Sequence, residues 1–215
     1  MIFKEQPGTS VKPSTAAPAP GNTPPPAANS RQEFNLILEE PQRKKDRTYD
    51  LFARQIAHEL SNERLYLVFA GWCDAHGFPE TSKFFYQRSQ EEHKHALAFI
   101  EFVQQTGMPA PIPNVTDDKC PTLTDMESLL VGALEREMET TEFIGETYTQ
   151  AHADNKVLAF PILLKYLDEQ REEEQWARSI LRFWRLCKAS GSIVDFENEM
   201  AGFADGSSHR IGAMG

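Results

Sequence analysis

Cysteine is scarce and scattered in this chain: Cys73, Cys120 and Cys187 are its three, and no two form a CxxC pair. An odd number at such spacing supports neither a disulfide framework nor a zinc ribbon. A reducing compartment is the simpler expectation, and the cytoplasm is the expected location. No apolar run reaches the length of a membrane span. The first residues lack the short apolar core of a secretory signal. Positive charge is also in deficit: 22 Lys and Arg stand against 32 Asp and Glu, for a net charge of −10 and a pI near 5.1. Phosphate binding needs clustered Lys and Arg, so nucleic acid is not an expected partner. The balance suits attraction of cations instead.

The 215 residues, 40% of them apolar, suffice for one domain of ordinary size and a tail. Residues 1–45 are expected to be a disordered Pro-rich tail and linker. PAP, PGN and PPP recur with Ala, Ser and Thr up to about residue 30, too little apolar surface to offset ordering entropy. EFNLILEEPQRKKDR follows, and Pro41 stops any helix there. Residues 206–215 are expected to be a flexible C-terminal tail.

Between them, over 46–205, apolar residues recur at spacings of three and four, with no strand-like alternation. A first helix starts near Thr48 and stops at Gly77. A second follows Pro79 and stops near Gly107. MPAPIPNVTDDKCPTL is a long connection, after which Thr124 and Glu127 read as a capping box opening a third helix. Asp154-Asn155 marks a turn, and a fourth helix runs to Gly191. IVDFENEMAGF reads as a short fifth helix, whose apolar Ile193, Val194, Phe196 and Met200 suit either a buried contact between subunits or a loosely packed C-terminus. The expected fold is all-α: a four-helix bundle with one long crossover and a short C-terminal helix, the arrangement of ferritin-like bundles.

The hexapeptide QEEHKH spans residues 90–95 and puts Glu92 and His95 three apart, on one helix face. A carboxylate and an imidazole so placed can hold one iron or bridge two. Alone the pair is a weak signal, since a solvated charged face looks the same. The other helices repeat it. Glu59 and Tyr66 lie two turns apart on the first helix, with Glu63 an extra acid one turn from Glu59. Glu137 falls between Leu134, Thr141 and Ile144 on the third helix. Gln170 and Glu173 follow Leu163 and Tyr166 on the fourth. Each helix thus brings an acid toward a common axis, and buried acids are costly unless paired or bound to a cation.

With these residues in hand, 48 to about 203 resembles a non-haem ferritin of bacterial type. The matching blocks are HELSNERLYLVFAGWC, FFYQRSQEEHKHALAFIEFVQQTG, ALEREMETT and KYLDEQREEEQWARSI. The resemblance implies a dinuclear ferroxidase centre. Glu59, Glu92 and His95 would surround one iron. Glu92 would bridge to a second iron held by Glu137, with Gln170 and Glu173 nearby. Tyr66 would stand beside the centre, donating an electron, hydrogen-bonding a ligand, or simply packing. A third iron site would fall on Glu91, Glu169 and Glu172. The resemblance further implies a homo-oligomeric cage of 24 subunits that stores ferric mineral, with Fe(II) and O2 as substrates and the N-terminal tail outside.

Two departures matter. Gln170-x-x-Glu173 replaces a second Glu-x-x-His. His93 stands where bacterioferritin would have its haem-ligand methionine, so no haem is expected. Glu63 is a surplus ligand, a register alternative to Glu59, or a surface acid. Two other classes stay open: a rubrerythrin-like peroxidase, against which three cysteines count because its small iron domain uses four, and a metal-free helical scaffold.

Overall fold

The computed structural model describes residues 46–112, 114 and 122–204. The expected tails at 1–45 and 206–215 and the third cysteine, Cys120, lie outside the described residues.

Five α-helices account for the described domain: α1 (Arg47–Ala75), α2 (Pro79–Gln105), α3 (Met126–Ala153), α4 (Phe160–Ser190) and α5 (Ile193–Ala204). A single 3-10 turn, Val157–Ala159, leads into α4. The most extensive packing joins α1 to α2 and α3 to α4. α1 also packs on α3, while α5 lies against α2 and α4. The short joins make α1/α2 and α3/α4 antiparallel pairs, and the long segment after α2 connects the pairs.

The helix ends show why the chain breaks where it does. The Asp46 side chain caps α1 by accepting from the Tyr49 backbone N–H at 3.2 Å. Gly77 after α1 and Gly191 after α4 have φ of 83° and 75°, the left-handed region that ends a helix cheaply only at glycine. The N-terminus of α2 begins with Pro79 and has no local side-chain cap. Its free N–H groups are met by α5 instead, where the Glu197 carboxylate accepts from Glu80 N at 2.8 Å and Thr81 N at 3.3 Å. The capping box on α3 is one residue later than the sequence suggested. Asp125 accepts from Ser128 N at 2.9 Å, and Ser128 Oγ answers the Asp125 N–H. Glu127 is drawn away to α4, where Arg185 lies at 2.9 Å and Lys188 at 3.4 Å.

The core has two apolar clusters. One holds Leu65, Phe69, Phe85, Leu129, Ile180 and Trp184. The other holds Phe52, Ile56, Phe99, Ile144, Leu163 and Tyr166. Between them each of the four long helices contributes buried polar residues: His58, Glu59 and Asn62 on α1, Ser89, Glu92 and His95 on α2, Arg136, Glu137 and Thr140 on α3, Gln170 and Glu173 on α4. The bundle is therefore apolar at both ends and polar across its middle.

α5 corrects one expectation. Phe196 and Met200 are fully buried within this same chain, in the cluster with Trp184, so they are not free to contact another subunit. Ile193 and Val194 remain on the surface, Val194 at 72% exposure. Replacing Phe196 with alanine should cost about 3–5 kcal/mol, the usual range for a buried aromatic truncation, read from urea unfolding. A cost below about 1 kcal/mol, the level of an ordinary surface change, would mean that α5 is not docked as described.

Candidate metal centre

The polar belt gathers one compact set of ligand types. Among the described residues, Glu59, Glu92 and His95 form a group in which one donor atom from each lies within 4.8 Å of the others, all three side chains buried. Glu59 comes from the middle of α1, and Glu92 and His95 from the facing stretch of α2. Neutral amides hold the carboxylates. Gln55 Nε2, one turn before Glu59, donates to Glu59 Oε1 at 2.6 Å, and Asn62 Nδ2 donates to Glu92 Oε2 at 3.3 Å. The His95 ring stands edge-on to Tyr166 with centroids 5.1 Å apart, and its Nε2 meets Glu169 Oε1 at 3.2 Å. That contact turns Nδ1 inward, to 3.9 Å from Glu59 Oε2.

Glu137 faces this group from α3. The Tyr66 hydroxyl, fully buried, donates to Glu137 Oε1. Its ring packs against Phe69 and Phe85, so Tyr66 is both a packing residue and a hydrogen-bond donor to this carboxylate. Gln170 is buried on α4, its Oε1 3.4 Å from Thr141 Oγ1. Glu173 accepts from Arg88 and from the Trp176 indole N–H.

The atoms without partners show what the belt can hold. Glu59 Oε2, His95 Nδ1 and Glu137 Oε2 are buried with no hydrogen-bond partner. Buried polar atoms are nearly always satisfied, so these three call for a cation or for protons. Two ligands each about 2.1 Å from one ion sit about 3.0–3.4 Å apart. The 3.9 Å between Glu59 Oε2 and His95 Nδ1 is wider by less than an ångström. One imidazole with several carboxylates is a donor set for a borderline to hard transition-metal cation. The residues present fit iron.

Electrostatics agree with this reading. Burial raises the Glu59 pKa from 4.5 to about 7, with Glu137 and Glu173 pushing the same way. Glu92 is raised well above the carboxylate range by burial and then by Glu59. Glu137 rises likewise through burial, Glu92 and Glu173. Burial also lifts the Tyr66 phenol well above its ordinary value, so it stays a proton donor to Glu137. On His95 burial acts downward, but the Glu169 hydrogen bond and the Glu92 carboxylate outweigh it and the net shift is upward.

The remaining sequence candidates are placed differently. Glu63 is partly exposed and 3.3 Å from His93 Nδ1, outside the group, which leaves Glu59 as the acid that faces it. Glu91, Glu169 and Glu172 are not drawn together as a site. Glu91 pairs with Arg88, Glu169 with His95, and Glu172, its side chain 73% exposed, lies 3.6 Å from Arg171. Sequence reasoning also missed a layer of support between α1 and α3. Arg136 Nε donates to Asn62 Oδ1 at 2.9 Å, Asn62 Nδ2 also reaches Thr140 Oγ1 at 3.2 Å, and His58 Nε2 meets the same hydroxyl at 2.7 Å. The signal was the run Gln55, His58, Glu59, Asn62, a polar stripe at helical spacing on an otherwise apolar face.

The raised carboxylate pKa fixes a sign. The folded, metal-free chain keeps Glu59 protonated up to about pH 7, whereas an exposed glutamate ionises near 4.5. Its contribution to stability is full below about pH 4.5 and is lost as pH rises through about 7. Metal-free wild type should lose more unfolding free energy between pH 5 and pH 8 than Glu59→Gln does, measured by urea titration at both pH values. Parallel losses in the two proteins would contradict the burial argument.

The family model described as ferritin-like domain matches residues 49–187. A probable bacterial non-heme ferritin-like protein of Haemophilus influenzae is 29% identical over 127 residues, 59% of this chain and 76% of that protein. The bacterial non-heme ferritin of Escherichia coli is 27% identical over 142 residues, 66% of this chain and 86% of that protein. Among solved structures, an open pore ferritin from the archaeon Archaeoglobus fulgidus superimposes with a TM-score of 0.69 at 24% identity, covering 74% of this chain and 98% of that one, a likeness of fold.

Proposed function

The chain belongs to the ferritin-like domain family, and from that premise we propose that it stores iron, binding Fe(II) in the polar belt and oxidising it with O2 to Fe(III). The observation that supports this most is the buried group Glu59, Glu92 and His95, in which Glu59 Oε2 and His95 Nδ1 have no hydrogen-bond partner.

Iron is here substrate and cargo. A first Fe(II) is taken by Glu59, Glu92 and His95. Glu92 would share a second with Glu137, with Gln170 and Glu173 on that side. Each Fe(II) gives one electron to O2. Carboxylates favour the harder Fe(III) product, while the imidazole admits Fe(II) first. Glu59 and Glu92 hold protons in the metal-free chain and release them on binding, so uptake is linked to pH. Tyr66 keeps Glu137 oriented through its hydroxyl. Gln170, neutral, holds the second ion less firmly, which helps product leave for mineralisation.

Storage needs a cavity larger than one bundle, so a homo-oligomeric cage, of 24 subunits, is part of the proposal. The surface residues Ile193 and Val194 on α5 are left for contact between copies. Residues 1–45 are proposed as a tail on the outside of the cage. No helix among the described residues is long and apolar enough to cross a membrane, and a cytoplasmic location is proposed.

The test is aerobic oxidation of Fe(II), two per chain, followed by absorbance. Wild type should oxidise it much faster than buffer alone, and Glu92→Ala with His95→Ala should fall back to about the buffer rate. Equal rates in wild type and the double variant would remove the ferroxidase claim. A metal-free scaffold would further show no rise in melting temperature with Co(II), whereas a binding site gains stability by mass action.

A further inference from the structure

Arg88 stands one turn before Glu92 on α2, on the same face as the ligands. Its guanidinium reaches across to α4 and donates through Nη1 to Glu173, while Nη2 pairs with Glu91. The contact is well buried: the Arg88 side chain is 16% exposed and that of Glu173 10%. The guanidinium carbon lies 5.4 Å from the Trp176 ring centroid and 5.9 Å from that of Phe84, so an aromatic wall backs the charge. Trp176 adds its own N–H to the same Glu173 oxygen.

The belt is therefore lopsided. Glu59, His95 and Glu137 each keep an unpartnered polar atom, but Glu173 Oε2 already has a resident cation and a second donor. We infer that Arg88 is an internal competitor for the second iron: its guanidinium holds Glu173 until a second divalent cation displaces it, which makes the two ions bind in order and unequally. This rests on the metal-centre reading above. An arginine does not give up its charge by deprotonation, so it leaves Glu173 only by moving. Glu91, one turn along the same helix and partly exposed, is the partner that retains it at the rim.

Co(II) is the probe, titrated anaerobically into metal-free full-length protein, with calorimetry and visible absorption as readouts. Wild type should bind a first Co(II) tightly and a second at least about ten-fold more weakly. Arg88→Met keeps the apolar stem against Trp176 and removes the charge. It should tighten the second step about ten-fold or more and leave the first within about three-fold. Adding Glu173→Gln should abolish that gain, as a double-mutant cycle requires. Arg88→Gln, which keeps a neutral donor, should shift the second step in the same direction and serves if the Met variant does not fold. An unchanged second step in the folded Arg88 variant with the first intact, or a gain that survives loss of Glu173, overturns the inference. Absence of any Co(II) step in wild type that Glu92→Ala removes overturns the metal centre itself, and this inference with it.

Discussion

Four carboxylates, Glu59, Glu92, Glu137 and Glu173, are buried across the middle of one helical bundle. Taking a carboxylate out of water costs several kcal/mol unless a charge or hydrogen bonds replace the solvent. The chain contains two answers. Glu173 has a guanidinium. Glu59, Glu92 and Glu137 have mainly neutral donors, and their pKa values climb, Glu59 to about 7, so that protons offset the buried charge. A cation that enters takes over from those protons. Metal affinity and protonation are thus two sides of one desolvation constraint.

The rest of the fold keeps that constraint from being relieved by water. An aromatic-rich cluster closes the belt on one side, with Phe69, Phe85 and Trp184, and another closes it on the other, with Phe52, Phe99 and Tyr166. Phe69 and Phe85 meet edge-on at 5.4 Å beside Tyr66, whose ring therefore has little freedom to swing its hydroxyl away from Glu137. α5 extends the first cluster with Phe196 and Met200 and returns Glu197 to the bare N-terminus of α2. That helix carries Glu92 and His95, so its anchoring at the start bears directly on where the ligands stand.

Much of this was legible in the sequence, for reasons that differ by element. Helix lengths followed from apolar spacing, and their ends from Gly77 and Gly191, because left-handed φ is a local requirement. The register of the α3 cap was missed. Thr124, Asp125 and Ser128 all carry capping side chains, and Glu127 pairs with Arg185 and Lys188 of α4 in place of closing the box. Glu59 and Glu63 are one turn apart, and four residues turn a helix by slightly more than a full circle. That drift suffices to put Glu59 in the belt and Glu63 at the surface beside His93. Arg88, Asn62 and Arg136 were passed over because a charged or amide residue in a helix is ordinarily solvated. Only the pairing of helices shows that their partners are buried acids or the amide that holds one.

The kind of donor on each carboxylate carries chemical consequences beyond its position. An amide N–H, as from Gln55 to Glu59 or Asn62 to Glu92, orients an oxygen without cancelling the charge. The carboxylate then keeps nearly its full attraction for a metal ion. A guanidinium does both at once, and at low local dielectric the neutralisation outweighs the geometry. The α1/α2 side of the belt is built from the first kind of contact, and the α4 side, through Arg88, from the second. The two sides of the belt therefore differ in how much of their carboxylate charge is already neutralised, a difference set by helix pairing and not by ligand type.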